Sequence, residues 1–278
     1  MIFPIVLDTC TILNLLRIDV EDEFLYKKLR ELDIKICRTV YEEANKNVNP
    51  KNFSENQKEY ISSHTPHFSA LIYNCEEYFE FEKKYKDNIK QFCNYKKENG
   101  EFYSTLISLH ICRKESCRLY FYTDDYPAKR TFDSYFNYQQ IGTIGDTVDL
   151  LVFLFWINPD FKQQKLEKYL QNLLSEFATP FKKFHNQFTE KKQTWISNKI
   201  KNRKMIENLN GIEDGLRKLD LEKIETGIAF FKDNRRAYRD INTFLDSYSD
   251  INLSGYMVVK IKETVNRLRE HPIYKMSC

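Results

Sequence analysis

The chain has 278 residues, with 43 Lys and Arg against 40 Asp and Glu, a formal net charge of +3. Seven glycines and seven prolines exclude collagen-like and Gly/Pro-rich disordered chains and argue against an all-β fold full of tight turns, while 21 Phe and 18 Tyr supply a large packed core. The length fits one large domain or two modest ones, two being the expectation. No GxGxxG or GxxxxGK[ST] occurs, so dinucleotide and P-loop phosphate cradles have no support. The seven cysteines are odd in number, irregularly spaced and form no CxxC, which indicates neither a disulfide framework nor a zinc ribbon. The longest apolar run, Leu150 to Ile157, is far short of the ~20 residues that span a bilayer. The start, Met1 to Asp8, lacks a basic n-region and meets an acid too early for a signal peptide. A cytoplasmic protein without membrane association is expected.

Taken in chain order, the first part alternates strands and helices. Ile2 to Leu7 is an apolar run suited to a buried parallel strand. Helical spacing follows over Leu13–Leu16 and Phe24–Leu32, then a short strand at Ile34–Cys37 and a helix from Val40 to Asn47. Residues 48–68 read as loop with a short helix, and Glu76–Glu98 as a long charged helix turning Tyr78, Phe79, Phe81 and Tyr85 inward. Phe102–Ile111 gives another helix, Leu119–Tyr122 a third strand, Tyr138–Ile141 a fourth, and Asp146–Trp156 a closing helix. This order predicts an α/β fold with a central, mainly parallel sheet over residues 1–158, in which 48–98 is a long helical insertion.

After Asn158-Pro159 the pattern is helical throughout. Leu166, Tyr169, Leu170, Leu173, Leu174 and Phe177 form one apolar stripe, which Pro180 is expected to end before starting another helix. Leu221–Phe231, Tyr238–Tyr248 and Val258–Leu268 repeat the spacing, predicting an all-α domain over 159–278. Charge follows the same division. Residues 1–160 carry 20 Lys/Arg and 25 Asp/Glu, a net of −5, while 161–278 carry 23 and 15, a net of +8. An acidic part that gathers carboxylates and a basic part that holds a polyanion is one reading, and chance solvated surface is the other.

Sites in parallel α/β sheets form beyond the carboxyl ends of the strands. Acids stand at four such places: Asp8 after the first strand, Glu42 and Glu43 after the second, Glu101 opening the helix after Asn99-Gly100, and Asp124 and Asp125 after the third. Taken singly, each has an ordinary structural explanation as a helix cap, a turn or a solvated face. Taken together, carboxylates gathered from separate strands repel unless a cation lies among them. Mg²⁺ or Mn²⁺ is the usual partner of such oxygens, and two such ions activate water against a phosphodiester.

The segments Ile5–Leu16, Thr39–Ala44, Gly100–Leu109, Phe121–Ala128 and Ile141–Gly145, in this order, resemble the motifs of the PIN-domain nucleases over roughly residues 1–157. The resemblance implies a PIN-like three-layer fold and a metal-dependent endoribonuclease. It assigns the catalytic, metal-binding acids to Asp8, Glu43, Glu101 and Asp125, with Asp124 as second choice. It gives Thr9, Thr11 and Thr123 the hydroxyl positions that orient carboxylates or water. The inferred reaction is hydrolysis by a metal-activated water, leaving a 5′-phosphate and a 3′-hydroxyl. The long 48–98 stretch departs from compact members, and 161–278 lies outside the resemblance.

The helical part adds a basic segment. Lys182, Lys183, Lys191, Lys192, Lys199, Lys201, Arg203 and Lys204 are candidates for nucleic-acid contact, interleaved with Phe184, Phe188 and Trp195. For the aromatics a core stripe is the favoured reading, and for the basic residues RNA contact. His64-Thr-Pro-His67 has ligand-like spacing but no second pair, and His110 reads as a core histidine. Two alternatives remain: a toxin or defence effector restrained by a cognate protein, and a non-catalytic RNA-binding scaffold. PIN domains often pair through helices, so the resemblance also allows a homodimer.

Overall fold

The computed structural model describes residues 3–47, 53–198 and 202–271. Among these the chain is mostly helical, with one small sheet. It forms two compact units, one running through Tyr169 and the other beginning at Leu170, so the division falls inside a helix rather than at the expected 158/159 junction.

The first unit is built on four strands, β1 (Ile5–Leu7), β2 (Ile34–Lys35), β3 (Leu119–Tyr122) and β4 (Gly142–Gly145), in the order β2-β1-β3-β4 and all parallel. Ile5 pairs with Ile34 on one side and Tyr120 on the other, and Tyr122 pairs with Gly145. β1 is central and fully buried, as its unbroken Ile-Val-Leu run requires of a strand covered on both faces. Helices α1 (Thr9–Ile18), α2 (Phe24–Leu29) and α3 (Arg38–Lys46) flank β1 and β2 in sequence. Between β2 and α6 (Gly100–Glu115) come α4 (Glu55–His64), a 3-10 turn over Thr65–Leu71 and α5 (Tyr78–Cys93). The inserted stretch is therefore mostly helical where it is described. α7 (Tyr126–Gln139) and α8 (Thr147–Ile157) complete the unit.

Within this unit two expectations change. The fourth strand is Gly142–Gly145, not Tyr138–Ile141, because Tyr138 still belongs to the last turn of α7. Gly142 holds φ +150, and a Cβ there would lie 1.9 Å from Leu119 O, so only glycine lets this strand pair so closely. On α5, Ile89 is the buried residue, whereas Phe79 is 62% exposed with the Lys83 ammonium 4.1 Å from its ring centre.

α1 and α2 are tied by Asp19, which is fully buried. Its carboxylate accepts the backbone N–H groups of Phe24, Leu25 and Tyr26 at 2.8–2.9 Å, Tyr169 Oη at 2.8 Å and Tyr60 Oη at 3.3 Å. Five donors offset part of the desolvation of one acid, whose carboxyl is still held above its ordinary value by burial, and staple three separate segments of this unit.

The second unit is helical among its described residues. α9 (Gln163–Asn198) enters it, followed by α10 (Arg203–Lys218), α11 (Leu221–Asp233), α12 (Arg239–Leu245), a 3-10 turn over Asp246–Tyr248 and α13 (Ser249–Glu270). Pro180 does not end α9, which runs through it. A proline inside a helix costs about 3 kcal/mol, and the apolar stripe on either side, Leu173 before and Phe181, Phe184 and Phe188 after, is buried and offsets it. Phe184, Phe188 and Trp195 pack with Met205, Ile212 and Phe231 in the core of this unit.

Candidate acidic site

The site lies at the carboxyl ends of β1 and β3. Asp8 follows β1 directly and occupies the N-cap position of α1, yet its side chain makes no capping bond. Asp146 provides the contrast: it follows β4 and caps α8 in the ordinary way, its Oδ1 accepting the N–H groups of Val148 and Asp149. Asp8 instead turns inward. Its Oδ2 accepts Thr123 Oγ1 and Cys10 Sγ, each at 3.0 Å, while its Oδ1 is buried with no hydrogen-bond partner. An unpartnered buried carboxylate oxygen is costly unless a cation satisfies it.

Glu43 comes to the same place from α3. Its Oε2 accepts Thr9 Oγ1 at 2.9 Å, whereas Glu42 on the next position is exposed. Between the two acids lies Gly100. A Cβ on Gly100 would be 2.9 Å from Glu43 Oε2 and 3.1 Å from Asp8 Oδ1, so the missing side chain is what leaves room for both carboxylates. Glu101 opens α6 from the adjacent position, and the charges of Asp8, Asp125 and Glu43 all act on it.

Asp124 and Asp125 divide the remaining work. Asp124 is buried and accepts Asn14 Nδ2 at 2.7 Å, the Thr147 N–H at 2.8 Å and the Thr147 hydroxyl, which fixes the start of α8 beside α1. Asp125 caps α7 through Oδ1, which accepts the Ala128 N–H at 2.9 Å. Its own N–H donates to Thr123 Oγ1 at 3.1 Å, so one hydroxyl links Asp8 to Asp125. Thr11 is buried, and its hydroxyl has no partner.

The electrostatics follow from burial and like charge. Burial, reinforced by Glu43, pushes the Asp8 carboxyl up to about 6 against the opposing influence of Cys10, the Thr9 backbone N–H and Thr123. Burial and the three neighbouring acids push Glu101 up to about 7. The Cys10 thiol is driven well up by burial and by Asp8 and Asp124, so it stays a neutral donor.

An orphaned buried oxygen, a glycine-shaped opening and an all-oxygen donor set fit a hard divalent cation such as Mg²⁺ or Mn²⁺. The acids do not form a closed cage. Among the described residues, the donor trio whose ligand atoms all lie within 4.8 Å of one another is Cys75, Glu77 and His110. A cation among the wider-set acids would keep part of its water shell, as Mg²⁺ prefers.

Sequence reading misses Cys10, Asn14 and Thr147 as partners of the acids, and the opening at Gly100. Cys10, two residues from Asp8, carried a local signal, but the contacts to Asp124 are long-range and carried none. His64 is taken up by Tyr60 O at 2.8 Å and Ser63 Oγ at 2.9 Å, and His67 by Tyr26 Oη at 2.8 Å.

Of the basic residues, Lys182, Lys183, Lys191, Arg203 and Lys204 are exposed, and Arg203 pairs with Glu207 at 2.8 Å. Lys192 is half-buried against Glu213, and Lys199 and Lys201 lie outside the described residues. Phe184, Phe188 and Trp195 are buried and do not present faces to bases. No helix of the described residues is long and apolar enough to cross a membrane. The chain matches no protein-family model, no curated protein and no solved structure.

Proposed function

We propose that this chain is a metal-dependent endoribonuclease whose acids Asp8, Glu43, Glu101 and Asp125 hold Mg²⁺ or Mn²⁺ at the carboxyl end of the sheet. The observation that carries the reading is Asp8 itself: a buried carboxylate that declines to cap its helix and points an unpartnered oxygen at a second acid across Gly100. The parallel sheet and the order of the acid-bearing motifs support the resemblance to PIN-domain nucleases, which rests on those motifs.

A divalent ion bound there would lower the pKa of a water and stabilise charge on the phosphoryl oxygens. Asp8 and Glu43 supply the facing oxygens, and Glu101 and Asp125 flank them. Thr9 holds Glu43, and Thr123 holds Asp8 and the backbone of Asp125, so the carboxylates are oriented before anything binds. The charge of the acids repels a phosphodiester until a cation is present, which makes activity strictly dependent on metal. Exposed Lys182, Lys183, Lys191 and Lys204 of the second unit contribute phosphate contacts to RNA.

Cleavage of a labelled single-stranded RNA pool by wild type and Asp8→Asn, in Mn²⁺ or EDTA, tests the proposal. Cleavage that requires Mn²⁺ and disappears in the variant is expected. Cleavage that survives both EDTA and the substitution would mean that the acids are not the catalyst. Salt-sensitive RNA binding with no cleavage would favour a binding scaffold.

A further inference from the structure

The acids leave unexplained a second cluster, at the far edge of the sheet. An isolated parallel bridge between Ile36 and Ile72 lays residues 72–73 beside the continuation of β2, with the Tyr73 N–H donating to Ile36 O at 2.9 Å. That places Cys75 and Glu77 against the last turns of α6, which carry His110 and, one turn on, Lys114. The ligand atoms of Cys75, Glu77 and His110 all lie within 4.8 Å of one another. His110 is 5% exposed and its ring is fixed by Tyr73 Oη, which bonds Nδ1 at 2.7 Å. Cys75, Glu77 and Lys114 border a cavity of about 490 Å³ that opens to solvent, wide enough for an ion and its remaining waters.

A cation already sits here. Lys114 Nζ donates to Cys75 Sγ at 3.2 Å and to Glu77 Oε2 at 2.8 Å, bridging the thiol and the carboxylate. Its side chain is 46% exposed, so it can swing into water at little cost.

We propose that Cys75, Glu77 and His110 form a binding site for Zn²⁺ or a similar borderline-soft divalent ion. One sulfur, one imidazole nitrogen and one carboxylate oxygen are three of the four positions of a tetrahedral zinc site, leaving the fourth to water. The ion displaces the Lys114 ammonium, and Cys75 releases its thiol proton to solvent as the sulfur–metal bond forms. The bound ion clamps the 72–77 segment to α6. The mixed donors separate this site from the all-oxygen acids, which suit harder ions.

Cobalt substitution of the full chain reads the site directly, because a thiolate–cobalt bond gives a near-ultraviolet charge-transfer band. Wild type should develop the band with one equivalent of Co²⁺ and lose it when one equivalent of Zn²⁺ is added. Excess Mg²⁺ should leave it unchanged, and so should Asp8→Asn. Cys75→Ser should abolish it, and Lys114→Met should bind Co²⁺ several-fold more tightly, because a competing cation is gone. Both residues are outside the buried core, so these variants remain informative if His110→Ala fails to fold. Absence of the band in wild type, its persistence in Cys75→Ser, or no tightening in Lys114→Met would overturn the proposal.

Discussion

Asp8→Asn should stabilise the protein in the absence of metal while removing its proposed activity. The Asp8 carboxyl moves from an ordinary value of 3.8 to about 6 on folding, chiefly through burial. Each unit is worth about 1.4 kcal/mol, so ionised Asp8 costs the fold about 3 kcal/mol above pH 6. The folded pKa exceeds the unfolded one, so the folded protein holds the extra proton. Stability is therefore lost as pH rises from about 4 through about 6, and the loss is complete above that. An asparagine keeps an oxygen for Thr123 and Cys10 and turns an amide N–H₂ toward Glu43 where a bare oxygen now stands. Allowing for imperfect geometry, a gain of about 2 kcal/mol remains, or about 5 °C in Tm for a chain of this size. Thermal melts in EDTA from pH 4 to pH 8 should show the two proteins alike at the acid end and diverging upward. Mn²⁺ should raise the Tm of wild type and leave the variant unchanged, because only the former binds it. A variant no more stable than wild type at pH 8 in EDTA would refute the claim that Asp8 is held in an unfavourable charged state.

Three further outcomes follow from the same contacts. Gly100→Ala puts a Cβ 2.9 Å from Glu43 Oε2 and 3.0 Å from Val40 Cγ2, so Mn²⁺ affinity should fall at least tenfold with a stability loss of about 1–3 kcal/mol, measured by metal titration and urea unfolding. Asp19→Ala strands two tyrosine hydroxyls and three N–H groups and should cost about 3 kcal/mol or more in urea unfolding; a loss below about 1 kcal/mol would show that water replaces the carboxylate. Replacing Lys182, Lys183 and Lys191 together by Gln should leave the melting temperature unchanged and reduce the log–log salt slope of RNA binding by about 2 (roughly 0.7 per phosphate contact). An unchanged slope would remove these lysines from the RNA surface.

How far the sequence could be read depended on the range of the interaction. β1 and β3 are unbroken apolar runs, and their positions follow from burial alone. β4 is Gly-Thr-Ile-Gly, only two strand-forming residues between two glycines that weaken the signal, and it pairs so closely because Gly142 permits approach to Leu119. Phe79 has the composition of a core residue but the wrong phase on α5, where Ile89 faces inward. α10 carries Met205, Leu209, Ile212 and Leu216 at helical spacing, a pattern legible in the sequence. The continuity of α9 through Pro180 was not legible, since local propensity says the opposite and tertiary burial decides. In the acid site, the positions of Asp8, Glu43 and Glu101 after strands or at helix starts could be read in one dimension. The unpartnered oxygen of Asp8, the role of Gly100 and the commitment of Asp124 to Asn14 and Thr147 could not, because each depends on residues far apart in the chain.

The most direct measurement is Mn²⁺ binding by electron paramagnetic resonance, comparing wild type, Asp8→Asn and Cys75→Ser at pH 7.5. Binding in wild type and Cys75→Ser that is lost in Asp8→Asn is the expected result, since Mn²⁺ takes the oxygen donors around Asp8 and leaves the sulfur site aside. Equal binding by wild type and Asp8→Asn, or none by either, would contradict the assignment of these buried carboxylates to a cation.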